Sequence, residues 1–433
     1  MGSVHLSRHR PVADSALHRR IDALWRMDAA RLIATLARQF RDLDLAEELA
    51  QDALVTALER WPQSGVPEQP YAWWLTTARH RAIDRLRHRA LAGRVQEQVE
   101  VALTPAPTPP PHALPPAEEE VGDDLLQLLF VACHPVLPRE AQVALTLRLL
   151  GGLSTAEIAR AFLQPEATIA QRLVRAKRTL AERAVAYEVP GPRERLERLD
   201  AVLAVLYLVF NEGYAASAGV DWMRPALCVE AMRLTRILAA QLPDEPEVFG
   251  LLALLELQAS RTPARTLPDG SPVLLAAQNR ARWDQLLIRR GLAALARAET
   301  LGGSLGPYAL QAAIAACHAR ALQADATDWK RIAALYALLA QVAPSPVITL
   351  NRAVALAQAD GPAVGLALLD SIREDPQLKA YHLLPAVYGD LLARLGRHAE
   401  AQAAFRRAAA LTRNLRERAV LEARAADCGA APG

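Results

Sequence analysis

Thr168, Gln171, Arg172, Arg175, Lys177 and Arg178 crowd one short stretch, and no acid interrupts it from Ala167 through Leu180. Cations of this density suit a polyanion: guanidinium and ammonium groups neutralise phosphates, while hydroxyl and amide groups can bond to base edges. A helix must present them, because Ile169, Leu173, Ala176 and Leu180 recur at three-to-four spacing as a buried stripe. Ser154 followed by Glu157 is a capping box that predicts a shorter helix just before, with Ile158, Ala159 and Phe162 turned inward. Pro165 suits the first position of the second helix, where its missing N–H costs nothing. Two crossed helices, the second basic and polar outside, describe a helix-turn-helix that enters the DNA major groove. The bland alternative is a surface helix pair with a solvated basic face.

Further upstream the charge has the opposite sign. From Asp42 to Glu59 there are six acids and no base. Ala46, Leu49, Ala50, Ala53, Leu54, Ala57, Leu58 and Trp61 form a helical apolar stripe, and Asp44, Glu47, Glu48, Gln51, Asp52 and Glu59 lie opposite. An isolated acidic face is ordinarily just solvated, but it can also dock on a basic partner, with charge setting orientation and on-rate. Trp61-Pro62 predicts the end of this helix, and Pro62 to Pro70 a loop. A helix from Tyr71 to about Ala90 then carries Arg79, Arg81, Arg85, Arg87 and Arg89 against the single acid Asp84. Tyr71, Trp73 and Trp74 crowd its first turn. Arginines beside aromatic rings suit single-stranded DNA, since rings stack bases at about 1–3 kcal/mol each; Trp74 reads as core.

Thr104 to Pro116 holds seven prolines in thirteen residues, the composition of an extended spacer. Met1 to Ala16 reads as a polar tail, and the boundaries expected are a first helical module over 17–95, a linker over 96–122 and a second module over 123–187. Abundant Ala, Leu and Arg, with only 5% aromatics, favour an all-α protein. The net charge of +3 is too small to identify a nucleic-acid partner, so local clusters carry that reading.

These three motifs, in this order, resemble the sigma-70 family of RNA polymerase sigma factors, of the small extracytoplasmic-function type. The resemblance covers about Leu17 to Tyr187. It implies that Asp44 to Trp61 docks on the clamp of the polymerase β′ subunit through Asp44, Glu47, Glu48, Gln51, Asp52 and Glu59. It implies that Tyr71, Trp73, Arg79, His80, Arg81, Asp84 and Arg87 serve the −10 element and its melted strand, with the preceding loop trapping an extruded base. His80 stands where many relatives carry Asn. The helix-turn-helix then reads the −35 element through Thr168, Gln171, Arg172, Arg175, Lys177 and Arg178, and the polymerase partners implied are the β′ clamp and the β flap.

Small factors of this type stop near the second module; here a long extension follows. A helical extension is expected over 188–300, including a loop from Arg261 to Val273 and a helix from Leu274 through Trp283 to Ala296. Over 301–428, Val387 to Ala410 matches tetratricopeptide spacing, Asn351 to Ile372 is a weaker copy, and Gly306 to Leu339 a degenerate pair. Stacked pairs make a concave surface for a peptide or protein ligand. Sigma modules with such an extension resemble the subgroup in which repeats tune activity in place of a membrane anti-sigma factor.

A helix-turn-helix regulator with a repeat-based sensor would explain the second module and the extension, but leaves the acidic and the tryptophan-rich helices without a role. A repeat scaffold is a third reading. No phosphate-cradling glycine loop, metal-ligand array or nucleophile motif is present, so neither an enzyme nor a cofactor is expected. Cys133, Cys228, Cys317 and Cys428 lie far apart, as free thiols do in a reducing cytosol, and the Cys133-His134 pair lacks companions for a metal. With no apolar run long enough to span a bilayer and no signal segment, a soluble cytoplasmic protein is expected.

Overall fold

The computed structural model describes residues 11–92, 118–162, 164–188, 190–216 and 218–430. Their regular structure is helical apart from a two-residue parallel pair, β1 (Ala218–Gly219) against β2 (Arg413–Asn414), so the fold is all-α as the composition implies. The chain divides into two compact units, residues 1–160 with 164–205, and residues 161–163 with 206–433.

The first unit opens with α1 (Pro11–Phe40), α2 (Leu43–Ser64) and α3 (Pro70–Ala92). Helix α1 starts earlier than the polar tail expected to reach Ala16, because Pro11 suits a first helical position. Asp42 caps α2, its Oδ1 accepting from the Leu45 N–H at 3.0 Å. The break predicted at Trp61-Pro62 is displaced by a turn. A proline this close to a helix end forfeits little, and the Gly65 N–H closes the helix on the Trp61 carbonyl at 2.9 Å. Gly65 takes φ 81°, open only to glycine without strain. The loop is therefore residues 65–69, shorter than expected.

The same unit continues with α4 (Glu118–Ala132), α5 (Arg139–Leu149), α6 (Thr155–Phe162) and α7 (Glu166–Glu182). The proline-rich Thr104–Pro116 lies outside the described residues. Between α4 and α5, the Gln142 amide donates to the carbonyls of Cys133 and His134 at 3.2 and 2.9 Å. Burial pushes the Cys133 thiol up to about 12, and among the described residues no three of His, Cys, Asp and Glu gather as metal ligands.

Helix α8 (Pro192–Tyr214) runs from the first unit into the second, where α9 (Pro225–Gln241), α10 (Pro246–Ala259) and α11 (Gln285–Thr300) follow. The helix predicted from Leu274 begins only at Gln285. Trp283 is 3% exposed and plugs the core beside Ala264 and Ile288, and Asp284 caps α11 by accepting from Leu286 and Leu287 N–H groups. A side chain buried in that direction holds residues 274–284 as two short 3-10 turns. Arg280 pins them by donating to the carbonyls of His318 and Ala321, both at 2.8 Å, and to the Thr327 hydroxyl. Burial and the nearby Arg261 and Arg280 press His318 from 6.5 down to about 4. Its folded pKa is depressed, so the unfolded chain takes up the proton first and stability falls as pH drops below about 6.5. The expected loss between about pH 7.5 and pH 5 is about 2 kcal/mol, and His318→Gln should flatten it in urea titrations at the two pH values.

Helices α12 (Pro307–Arg320), α13 (Trp329–Val342), α14 (Pro346–Ala359), α15 (Pro362–Asp370), α16 (Leu383–Arg394), α17 (His398–Leu411) and α18 (Leu415–Ala430) complete the second unit, each packed on the next. At Gly389 an added Cβ would sit 2.8 Å from the Phe405 ring, which is 1% exposed. Gly389→Ala is expected to destabilise this unit by about 1–3 kcal/mol, read as a lowered urea midpoint. No helix among the described residues is long and apolar enough to cross a membrane.

Candidate nucleic-acid interface

The first three helices close around tryptophan. Trp61 and Trp74 are buried with ring centroids 5.1 Å apart; Trp25 meets Trp74 edge-on at 5.4 Å, and Trp73 meets Trp61 at 5.3 Å. Trp73 is only partly buried, and so is the ring of this cluster still open to solvent on α3. Tyr71 is turned inward: its hydroxyl lies 3.1 Å from the Thr35 hydroxyl, and the Arg31 guanidinium stands 4.0 Å over its ring. Burial raises its pKa. Arg79 is half-buried, its Nε donating to Gln39 at 3.2 Å. His80, Arg81 and Asp84 are exposed, Arg81 reaching back to the Thr56 hydroxyl at 3.1 Å. Arg87 belongs to α3, and its side chain lies outside the described residues.

On α2, Asp44, Glu48, Gln51 and Glu59 are exposed, Asp52 is intermediate and Glu47 is buried at 8%. Arg85 of α3 bridges to Glu48 and, at 2.8 Å, to Asp52, so the acidic and basic helices meet along one edge. Sequence reading treated these two faces as separate. Arg85 carries the link between them, and its position is set by how α3 crosses α2.

The second module forms the helix-turn-helix as expected locally. The Ser154 N–H donates to Glu157 Oε2 at 2.8 Å, and the Glu157 N–H returns a bond to Ser154 Oγ at 3.2 Å, a completed capping box. Ile158, Ile169, Leu173, Ala176 and Leu180 are buried. Thr168, Gln171, Arg175 and Arg178 are exposed, and Arg172 is partly so. Pro165 caps α7 rather than opening it.

Lys177 is placed differently from its neighbours. Its ammonium lies 2.5 Å from Asp44 Oδ1 and 3.0 Å from Glu47 Oε2 of α2. Glu47 also receives Arg148 of α5 and the Gln51 amide. Burial pushes the Lys177 pKa down, but hydrogen bonds to Asp44 and Glu47 and the attraction of both carboxylates outweigh it and raise it. Asp124 of α4 is 3% exposed, accepts from Thr35 at 2.8 Å and pairs with Arg38 at 2.7 Å. Arg148 and Asp124 were missed from sequence. Arg148 follows an uncharged run from Ala141 to Leu147, whereas Asp124 stands beside Asp123 in the acidic first half of α4 and carries no mark of burial; neither context names the partner.

A profile for sigma-70 region 2 matches residues 24–91, and one for sigma-70 region 4 matches residues 127–180. The first covers the tryptophan-centred bundle and the second the helix-turn-helix. With both on one chain, in this order, the class is defined: the chain belongs to the sigma-70 family of RNA polymerase sigma factors. An uncharacterized protein of Rhizobium meliloti (strain 1021) is 43% identical over 398 residues that cover 90% of this chain and 91% of the other. A probable RNA polymerase sigma factor, RfaY, of Xanthomonas campestris pv. campestris is 29% identical over 148 residues, 33% of this chain and 37% of that one. Residues 198–299 match a family of unknown function, DUF6596. No solved structure matches.

Proposed function

We propose that the chain is an extracytoplasmic-function-type sigma subunit that binds core polymerase, opens promoters and is tuned by its C-terminal helices. The observation that carries this reading is the pairing of an acidic helix with a basic, tryptophan-rich one in a single bundle, followed by a capped helix-turn-helix. In this reading the polymerase clamp takes the α2 face from Asp44 to Glu59. Trp73, His80, Arg81, Asp84 and Arg87 meet the −10 strand, with Tyr71 and Arg79 supporting them from beneath. Helix α7 enters the −35 major groove with Thr168, Gln171 and Arg172 toward bases, and Arg175 and Arg178 on phosphates. The domain boundaries proposed are 17–95, 96–122, 123–187, 188–300 and 301–428.

Run-off transcription by purified core plus this chain, on a randomised promoter library, tests the whole reading. Transcription from selected sequences supports it, whereas DNA binding without initiation would instead mark a helix-turn-helix regulator. Arg172→Ala is expected to weaken promoter binding by about 1–3 kcal/mol and to relax preference in the −35 element. Footprinting reads this as lost upstream protection.

The C-terminal helices are proposed to be tetratricopeptide-like pairs with a regulatory role. Supporting this are the glycine-to-ring contact at Gly389 and Phe405 and the glycine turns at Gly361 and Gly396. A cavity of about 240 Å³ lined by Trp222, Leu274, Val354, Leu383, Leu391 and Leu421 offers room for an apolar side chain of a peptide ligand.

A further inference from the structure

We propose that the free chain holds itself closed, with its own second module seated on the Asp44 and Glu47 end of the acidic face of α2, so that core polymerase must displace it to bind. This rests on the reading of α2 as the polymerase-docking helix.

Two separate polar patches hold the modules together. In one, Glu47 is buried under Arg148 of α5 and Lys177 of α7, and Lys177 also engages Asp44. Tyr187, just past α7, lies against the α2 N-terminus beside Asp42, Asp44 and the Leu43 backbone. In the other, Asp124 of α4 sits between Arg38 and Thr35 of α1, and the same Thr35 hydroxyl meets Tyr71. The complementarity is specific: an acidic face with no base of its own in sequence takes two cations from a module otherwise suited to DNA.

The arrangement is exclusive. A carboxylate buried beneath two cations cannot meet a partner protein, and an ammonium held between two carboxylates cannot bind a phosphate. Docking on polymerase and reading DNA through the Lys177 side of α7 both require the same contact to open. Closed and open forms therefore exchange by competition between internal and external charges, and any ligand with different affinity for the two shifts the balance.

The chain has three lysines, Lys177, Lys330 and Lys379, so a zero-length carbodiimide is a selective probe. It condenses an ammonium-bearing side chain with a carboxylate, with loss of water, only where the two touch. In the full-length free protein, peptide mass spectrometry should find Lys177 joined to Asp44 or Glu47. Saturating core polymerase added first should reduce that product at least tenfold, and the joined species should be absent from the core complex on gel filtration. Failure to find the linkage in the free chain, or its persistence in the core complex, would overturn the closed state. A chain that forms the linkage yet never binds core overturns the polymerase reading, and competition with it.

Arg148 belongs to neither proposed contact surface, so Arg148→Ala and the milder Arg148→Gln give an independent arm. Both should raise core affinity about fivefold and reduce the Lys177 linkage, with unchanged helical circular dichroism. Folded variants with unaltered or weaker core binding would count against the proposal.

Discussion

Reversing charge at Glu48 and Asp52 together, as Glu48→Lys with Asp52→Lys, is expected to weaken core-polymerase binding a hundredfold or more, about 2.7 kcal/mol. Like charges brought against a complementary surface repel as well as lose attraction, which is why reversal exceeds deletion. The cost to folding is small by comparison. Glu48 and Asp52 are 59% and 31% exposed, and their shared partner Arg85 is itself 36% exposed. Exposed pairs of this kind contribute about 0–1 kcal/mol. Retention of core enzyme in a pull-down checks the effect, with urea melting as the control for folding. Neither residue touches Arg148 or Lys177, so the result isolates docking from the internal contact.

The second large effect is expected at Trp74. Trp74→Ala should cost the first module about 3–5 kcal/mol, because the ring is fully buried and three other tryptophans lean on or near it. Few small bundles retain their fold after a loss of that size. The module should unfold at much lower urea, with loss of promoter opening, while Trp73→Ala should spare the fold and weaken strand capture alone. A Trp74→Ala variant with a wild-type urea midpoint would show that this ring is not the keystone of the bundle.

Sequence by itself determined the elements whose causes are local. The Ser154–Glu157 cap, the inward stripe of α7 and the apolar face of α2 depend on residues within a turn or two of one another, and helical periodicity exposes them directly. The order of the motifs was legible for the same reason. Local rules failed where a distant partner intervened. Pro62 did not end α2, because Gly65 could still close it, and residues 274–284 did not become helix, because Trp283 is drawn into a core built from Ala264 and Ile288.

Tertiary structure alone decided which charges are available. Lys177 and Arg175 look alike in sequence, yet the first is turned onto Asp44 and Glu47 while the second faces solvent. Glu47 and Glu48 are adjacent, yet one is buried under cations and the other exposed. A helix's own period says which side is apolar; it carries no information about which charge of another element will stand opposite. That is set by how packed helices cross, and Coulomb attraction over a few ångströms then makes some of these side chains partners and leaves others free for DNA or polymerase.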